Sequence, residues 1–311
     1  MFSAALLTSA LALAADGGTP AYVRAAISDS DPSLGCQYWQ DTQINWVQSS
    51  LGNTGDSPTP GDAEFTAVTA AFAAWQAQST ACGNFTLSEQ PRTTDRAAGY
   101  DAQNPSNNQN LVLFRPKLCS AVAPNGDVCF NQGTCGNKYD CFQYASGNIA
   151  ITTTTFSTRT GRIYDADIEL NAAKVLTAVD SPPCPPTGPF LQSCVAFDIQ
   201  NTLTHEVGHF FGLAHDPNTE STMYFSAAPG ELKKRALDPG TQQFVCDAYP
   251  RGLPSQPCIV RALASNDPMP ASSCSAVPGA AMAVAAAMLG LLGLPALRPA
   301  HARRRRRGGA P

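Results

Sequence analysis

Histidine and methionine are scarce in this chain. Four histidines occur, at 205, 209, 215 and 301, and Met223 is the only methionine between Phe2 and Pro268. With three imidazoles together and the fourth near the C-terminus, no second histidine-built metal centre can be assembled. No paired CxxC is present, so the cysteines do not read as metal ligands. Internal repeats are also missing, which sets aside a solenoid. Basic residues are scarce in the body of the chain. Arg298 and the five arginines at 303–307 supply six of the 20 basic residues, while all 24 acids lie upstream, so residues 1–297 carry a net −10. An acidic body without a basic patch excludes a nucleic acid as partner.

What is present begins with eleven cysteines, which imply an oxidising compartment and hence export. Ten lie in the body, an even number. Spacing suggests Cys184 with Cys194 and Cys246 with Cys258 as local loops and Cys36 with Cys82 as a longer staple. Four more fall from Cys119 to Cys141, and spacing alone leaves the connectivity open. Residues 1–15 form a short apolar run ending in small residues, with Ala12-Leu13-Ala14 as an A-x-A cleavage site. The run is too short to span a bilayer and reads as a removable signal peptide. At 311 residues the chain is long enough for a sizeable core.

Residues 43–48 read as a strand. From Asp62 onward Phe65, Val68, Phe72 and Trp75 recur at helical spacing in an Ala-rich stretch, predicting a packing helix. Strands are expected at 85–88 and 111–114, and an extended pair at 148–156 and 162–170 around the turn 157–161. The segment 115–147 is long for a loop, so its four cysteines are expected to give it order through cross-links. Asp198 is a candidate N-cap, and Asp238-Pro239 opens a last helix through Tyr249.

The stretch of most chemical content is HEVGHFFGLAHD, residues 205–216. If helical to about Phe211, it sets His205 and His209 one turn apart on one face, within reach of one ion, with Glu206 beside them. Gly212 can take φ > 0, stop the helix and bring His215 round as third ligand. Three neutral imidazoles and an open fourth position suit a catalytic Zn²⁺, with Glu206 as general base. Asp216 reads either as a hydrogen-bonding anchor between the third-ligand loop and the segment around Met223 or as a solvated turn residue.

The pattern H-E-x-x-H-x-x-G-x-x-H, with Ser221-Thr222-Met223-Tyr224 eight residues farther on in the place of a methionine turn, resembles the metzincin metallopeptidases. The order of elements over residues 36–250 is similar to the matrixin branch. The resemblance implies an α+β catalytic domain spanning 16–250. It would have a twisted, mostly parallel sheet with an antiparallel edge strand and an active-site helix. The implied activity is a zinc-dependent endopeptidase, with Met223 as an apolar floor and protein or peptide substrates extended along 148–156 near Ile151 and Thr152. Tyr224 is given no metal role. Thr153 and Asp167 stand where matrixins carry histidines for a structural zinc, so one Zn²⁺ is expected and the cysteine-rich segment looks like the replacement for the second. Asp165, Asp167 and Glu169 alternate along a strand and read either as Ca²⁺ ligands or as a solvated face. A non-catalytic surface binding or adhesion module on the same fold is the competing class.

Residues 251–273 are Pro- and Ser-rich and read as a linker. Cys274 then precedes an almost wholly apolar stretch, 276–297, and the arginine run. About 22 residues at 1.5 Å rise give roughly 33 Å, enough to cross a bilayer as a single helix. This arrangement at 274–311 resembles the MYXO-CTERM type of sorting tail, which implies a sorting protease acting near Cys274 and display at the cell surface or release. The alternative is a permanent membrane anchor.

Overall fold

The computed structural model describes residues 22–55, 62–178, 181–185 and 193–258. The expected signal peptide, most of the linker and the whole tail from 274 lie outside them. Strand β1 (Gln43–Ser49) alternates at its start, with Ile44 and Trp46 buried and Gln43 and Asn45 exposed. Helix α1 (Ala63–Cys82) buries Phe65, Val68, Phe72 and Trp75, the stripe that three- and four-residue spacing puts on one face. Strands β2 (Thr86–Thr93) and β3 (Leu111–Arg115) follow, and every residue of β3 is buried, as for a strand covered on both faces. Three short turns of helix, α2 (Cys119–Val122), α3 (Cys129–Gln132) and α4 (Cys135–Tyr139), carry the four clustered cysteines. Strands β4 (Ala150–Phe156) and β5 (Ile163–Asn171) complete a five-stranded sheet in the order β2-β1-β3-β5-β4. All its pairs are parallel except β4 with β5, so the fold is α+β with a mostly parallel sheet and an antiparallel edge strand.

A two-residue ladder, β6 (Leu176–Thr177) with β7 (Phe197–Asp198), leads into α5 (Ile199–Phe210), and α6 (Pro239–Ala248) ends the described domain. The main core lies between the sheet, α1 and α5. Trp46 stacks on Phe72 at 3.8 Å between ring centroids, and Phe72 meets Phe210 edge-on at 5.8 Å. Two indoles tie α5 in place: Trp75 Nε1 donates to Thr204 O at 3.0 Å and Trp39 Nε1 to Phe210 O at 2.8 Å. Buried indole N–H groups require such partners, so the aromatic contacts also fix the helix along its axis.

The opposite face of β5 departs from expectation. Asp165, Asp167 and Glu169 alternate as read, yet all three are buried, not solvated. Asp167 accepts the backbone N–H groups of Leu111 and Gly99, while Glu169 takes Arg115 Nε at 2.5 Å and the Tyr144 hydroxyl at 3.0 Å. Period-two alternation separates the faces of a strand without saying what covers each. Here contacts from Ala98–Gly99 and from the cysteine-bearing segment at Asn137 and Asp140 close over it. Burial pushes the Asp165 carboxyl up to about 6, and burial followed by the neighbouring Asp165 charge raises Asp167 well above the carboxylate range. Thr153 Oγ1 lies 3.1 Å from the Tyr144 hydroxyl and so joins this hydrogen-bonded network.

Five disulfides link the ten body cysteines. Cys184–Cys194 is the expected local loop, and the clustered four pair as Cys119–Cys141 and Cys129–Cys135. The other two correct the spacing argument: Cys36 joins Cys258 and Cys82 joins Cys246. The reason is topological, because α6 packs against α1 and the chain beyond it returns to the N-terminal segment. Residues 251–258 are accordingly not free linker: Arg251 N donates to Cys82 O and Asn84 Nδ2 to Leu253 O. Among the described residues no helix is long and apolar enough to cross a membrane.

Candidate metal centre

Helix α5 starts where its sequence says it should. Asp198 sits in extended conformation and accepts from Asn201 N at 2.7 Å, and Arg235 holds the same carboxylate at 2.9 and 2.5 Å. Ile199, Leu203, Val207 and Phe210 turn to the core, and His205 and His209 lie one turn apart on another face, with Glu206 between the two. The helix ends at Phe210, and Gly212 adopts φ +89°, the left-handed region that favours glycine. A Cβ there would lie 2.4 Å from Gln37 O. The N-terminal segment braces this turn, with Ala25 N donating to Gly212 O at 2.8 Å and Ala214 N to Val23 O at 2.9 Å.

The turn brings His215 back, and one ligand-type nitrogen from each of His205, His209 and His215 lies within 4.8 Å of the others. His205 Nδ1 is 2.7 Å from Thr222 O and His209 Nδ1 is 2.8 Å from Leu213 O. A carbonyl only accepts, so both Nδ1 atoms carry the proton and both Nε2 atoms present lone pairs. His209 Nε2 and His215 Nε2 are 3.2 Å apart. Tetrahedral zinc with Zn–N of about 2.0–2.1 Å sets ligand nitrogens about 3.3 Å apart, which this pair matches, while the three together lie within 4.8 Å. Burial lowers the pKa of all three imidazoles, that of His215 to about 4, and for His205 and His215 neighbouring positive charges lower it further. They are therefore neutral at neutral pH, the form that ligates metal. From His205 through His209 to His215 the rings pass from buried to exposed, so the centre opens to solvent. Among the described residues no other cluster of metal-ligand side chains is as close-set, Asp165, Asp167 and Glu169 included.

Glu206 is buried beside this group, and burial pushes its carboxyl up to about 7 against the lowering effect of a hydrogen bond from Thr152. Thr152 Oγ1 stands 2.6 Å from Glu206 Oε2. Met223 is buried under α5, where a Cβ on Gly208 would come within 2.2 Å of its Sδ. Asp216 is buried rather than solvated: its backbone N–H donates to Met223 O at 2.9 Å and its carboxylate accepts from Asn218 N at 2.8 Å. The link between loop and methionine turn is thus made by backbone, while the side chain shapes the following turn. Ile151 pairs with Glu169 and Thr152 with Ile168, both on the edge strand β4, whose second edge pairs with no strand among the described residues.

Three participants were not foreseen. Asp238 caps α6 as read, and its Oδ2 also accepts from Thr222 N at 2.8 Å, pinning the carbonyl-bearing residue that orients His205. Lys234, almost wholly buried, donates to Tyr224 O at 2.7 Å and Ser226 O at 2.8 Å, which fixes the chain after Met223. Exposed Phe225 then stands 6.3 Å from the His215 ring. The third is the Thr152 side chain, in a run of four threonines with nothing in the sequence to single it out. Comparison with protein-family models and with curated proteins found no match to this chain.

Proposed function

We propose that the protein is a zinc-dependent endopeptidase of metzincin, matrixin-like type, exported and held at or released from the cell surface. The observation that carries this reading is the imidazole triad, with two Nε2 atoms 3.2 Å apart and two Nδ1–H groups anchored on carbonyls. His205, His209 and His215 would hold one Zn²⁺, which supplies Lewis acidity and lowers the pKa of water to about 7. Glu206 accepts the proton from the attacking water and hands it to the departing amine nitrogen as the peptide C–N bond breaks. The open edge of β4 at Ile151 and Thr152 would take an extended peptide as an added strand. Met223 supports α5 from below, and Asp238 with Thr222 keeps His205 in one tautomer.

Export is supported by the five disulfides. Cys274 is the one cysteine left over, and it stands where a sorting protease would act. The test is digestion of casein or gelatin by the folded protein, read together with its zinc content. Digestion with one zinc per molecule is expected. One zinc without digestion would identify the binding or adhesion module instead.

A further inference from the structure

The run Thr152-Thr153-Thr154-Thr155 lies in β4, so successive side chains point to opposite faces. Thr153 turns to Tyr144, at 3.1 Å, and Thr154 to Gln37 Oε1, at 2.9 Å. Of the four hydroxyls, that of Thr152 is the one hydrogen-bonded to α5 among the described residues. Its Oγ1 lies 2.6 Å from Glu206 Oε2 and 3.0 Å from the Glu206 carbonyl oxygen. Both neighbours accept, so the hydroxyl donates its single proton to them. Thr152 favours the carboxylate anion twice, through this hydroxyl and through its backbone N–H. A β-branched side chain on a strand has little freedom about χ1, so the hydroxyl is placed by the sheet and not by the helix that carries Glu206.

We infer that Thr152 is a positioning residue for the base: its hydroxyl holds Oε2 and thereby makes Oε1 the oxygen that exchanges the proton. This rests on the peptidase reading. Water transfers a proton to Oε1 as its oxygen bonds to the peptide carbon, and Oε1 passes that proton to the amide nitrogen as the C–N bond breaks. The Thr152 proton stays on Oγ1 throughout and is not consumed. The 2.6 Å contact to the carboxylate is of the charge-assisted kind, so it favours the anion that must accept the first proton. Edge strand and base are coupled by the same residue, whose backbone borders the substrate while its side chain orients the catalyst.

The test compares Thr152→Val, which keeps the shape and loses the hydroxyl, with Thr152→Ser, which keeps the hydroxyl. Kinetics are measured on a peptide substrate with the zinc-loaded full protein, together with zinc content and melting temperature. Loss of a hydrogen bond to a charged group of this kind is expected to lower activity about 10- to 100-fold. Thr152→Val is expected to show that loss in kcat, with KM, zinc content and melting temperature near wild type, and Thr152→Ser to recover most of it. In a Glu206→Ala background Thr152→Val should add nothing. Wild-type kcat in Thr152→Val, or a Ser variant as impaired as the Val variant, overturns the inference while leaving the peptidase reading in place. A zinc-loaded wild type that cleaves no peptide overturns both.

Discussion

Burial is what prepares the individual side chains. It keeps His205, His209 and His215 neutral without help from any neighbouring acid, so the donors are ready for a cation. On the far side of the sheet the same cause has a cost. Asp165 titrates near 3.8 when unperturbed and near 6 in the fold, so between those values the folded chain keeps a proton that the unfolded chain has lost. Its contribution to stability is therefore full below 3.8, falls as pH rises, and is at its lowest above about 6. Asp165→Asn, which stays neutral, should raise the melting temperature relative to wild type by more above this window than below it. A difference that does not change with pH would refute the assignment. That His205, His209 and His215 would come together beside Glu206, with Gly212 turning the chain and Met223 nearby, was legible in the sequence because each is a chemical type at a fixed spacing. The Thr152 hydroxyl was not, because its role depends on which of four equivalent threonines faces α5.

At the level of elements, helix α5 and the turn after it form one device. Gly212 ends the helix, and its left-handed backbone is closed over by Gln37 O, Ala25 and Val23. Gly212→Ala meets both an unfavourable φ and a backbone oxygen 2.4 Å away, so it should destabilise the protein by at least about 1 kcal/mol. It should also weaken zinc retention by displacing His215, which a competition titration with a chelator reads. Zinc affinity and melting temperature equal to wild type would show that the turn does not depend on glycine. Long elements with strong periodicity were readable: β1, α1, β4, β5 and α6 lie within a few residues of where the sequence put them. Helices α2, α3 and α4 were not, since pieces of four or five residues have no periodicity to detect and take their order from Cys119–Cys141 and Cys129–Cys135. Cys36–Cys258 escaped for a related reason: 222 positions separate partners that only the completed topology brings together.

For the whole molecule, ten cysteines pair within the described domain and Cys274 stands apart before the apolar stretch. Mass spectrometry of mature protein from its own host should find a C-terminus near Cys274 and no arginine run. An intact end at Pro311 would mean a retained anchor, and a disulfide from Cys274 to a body cysteine would contradict the pairing. In the proposed peptidase His205, His209 and His215 hold the metal and Glu206 moves the proton. The most direct test is turnover of a peptide substrate by Glu206→Ala beside wild type, with zinc content determined on the same samples. Because Glu206 is not a ligand, the variant should keep one zinc while kcat falls at least about 100-fold. Wild-type turnover in Glu206→Ala would contradict the mechanism.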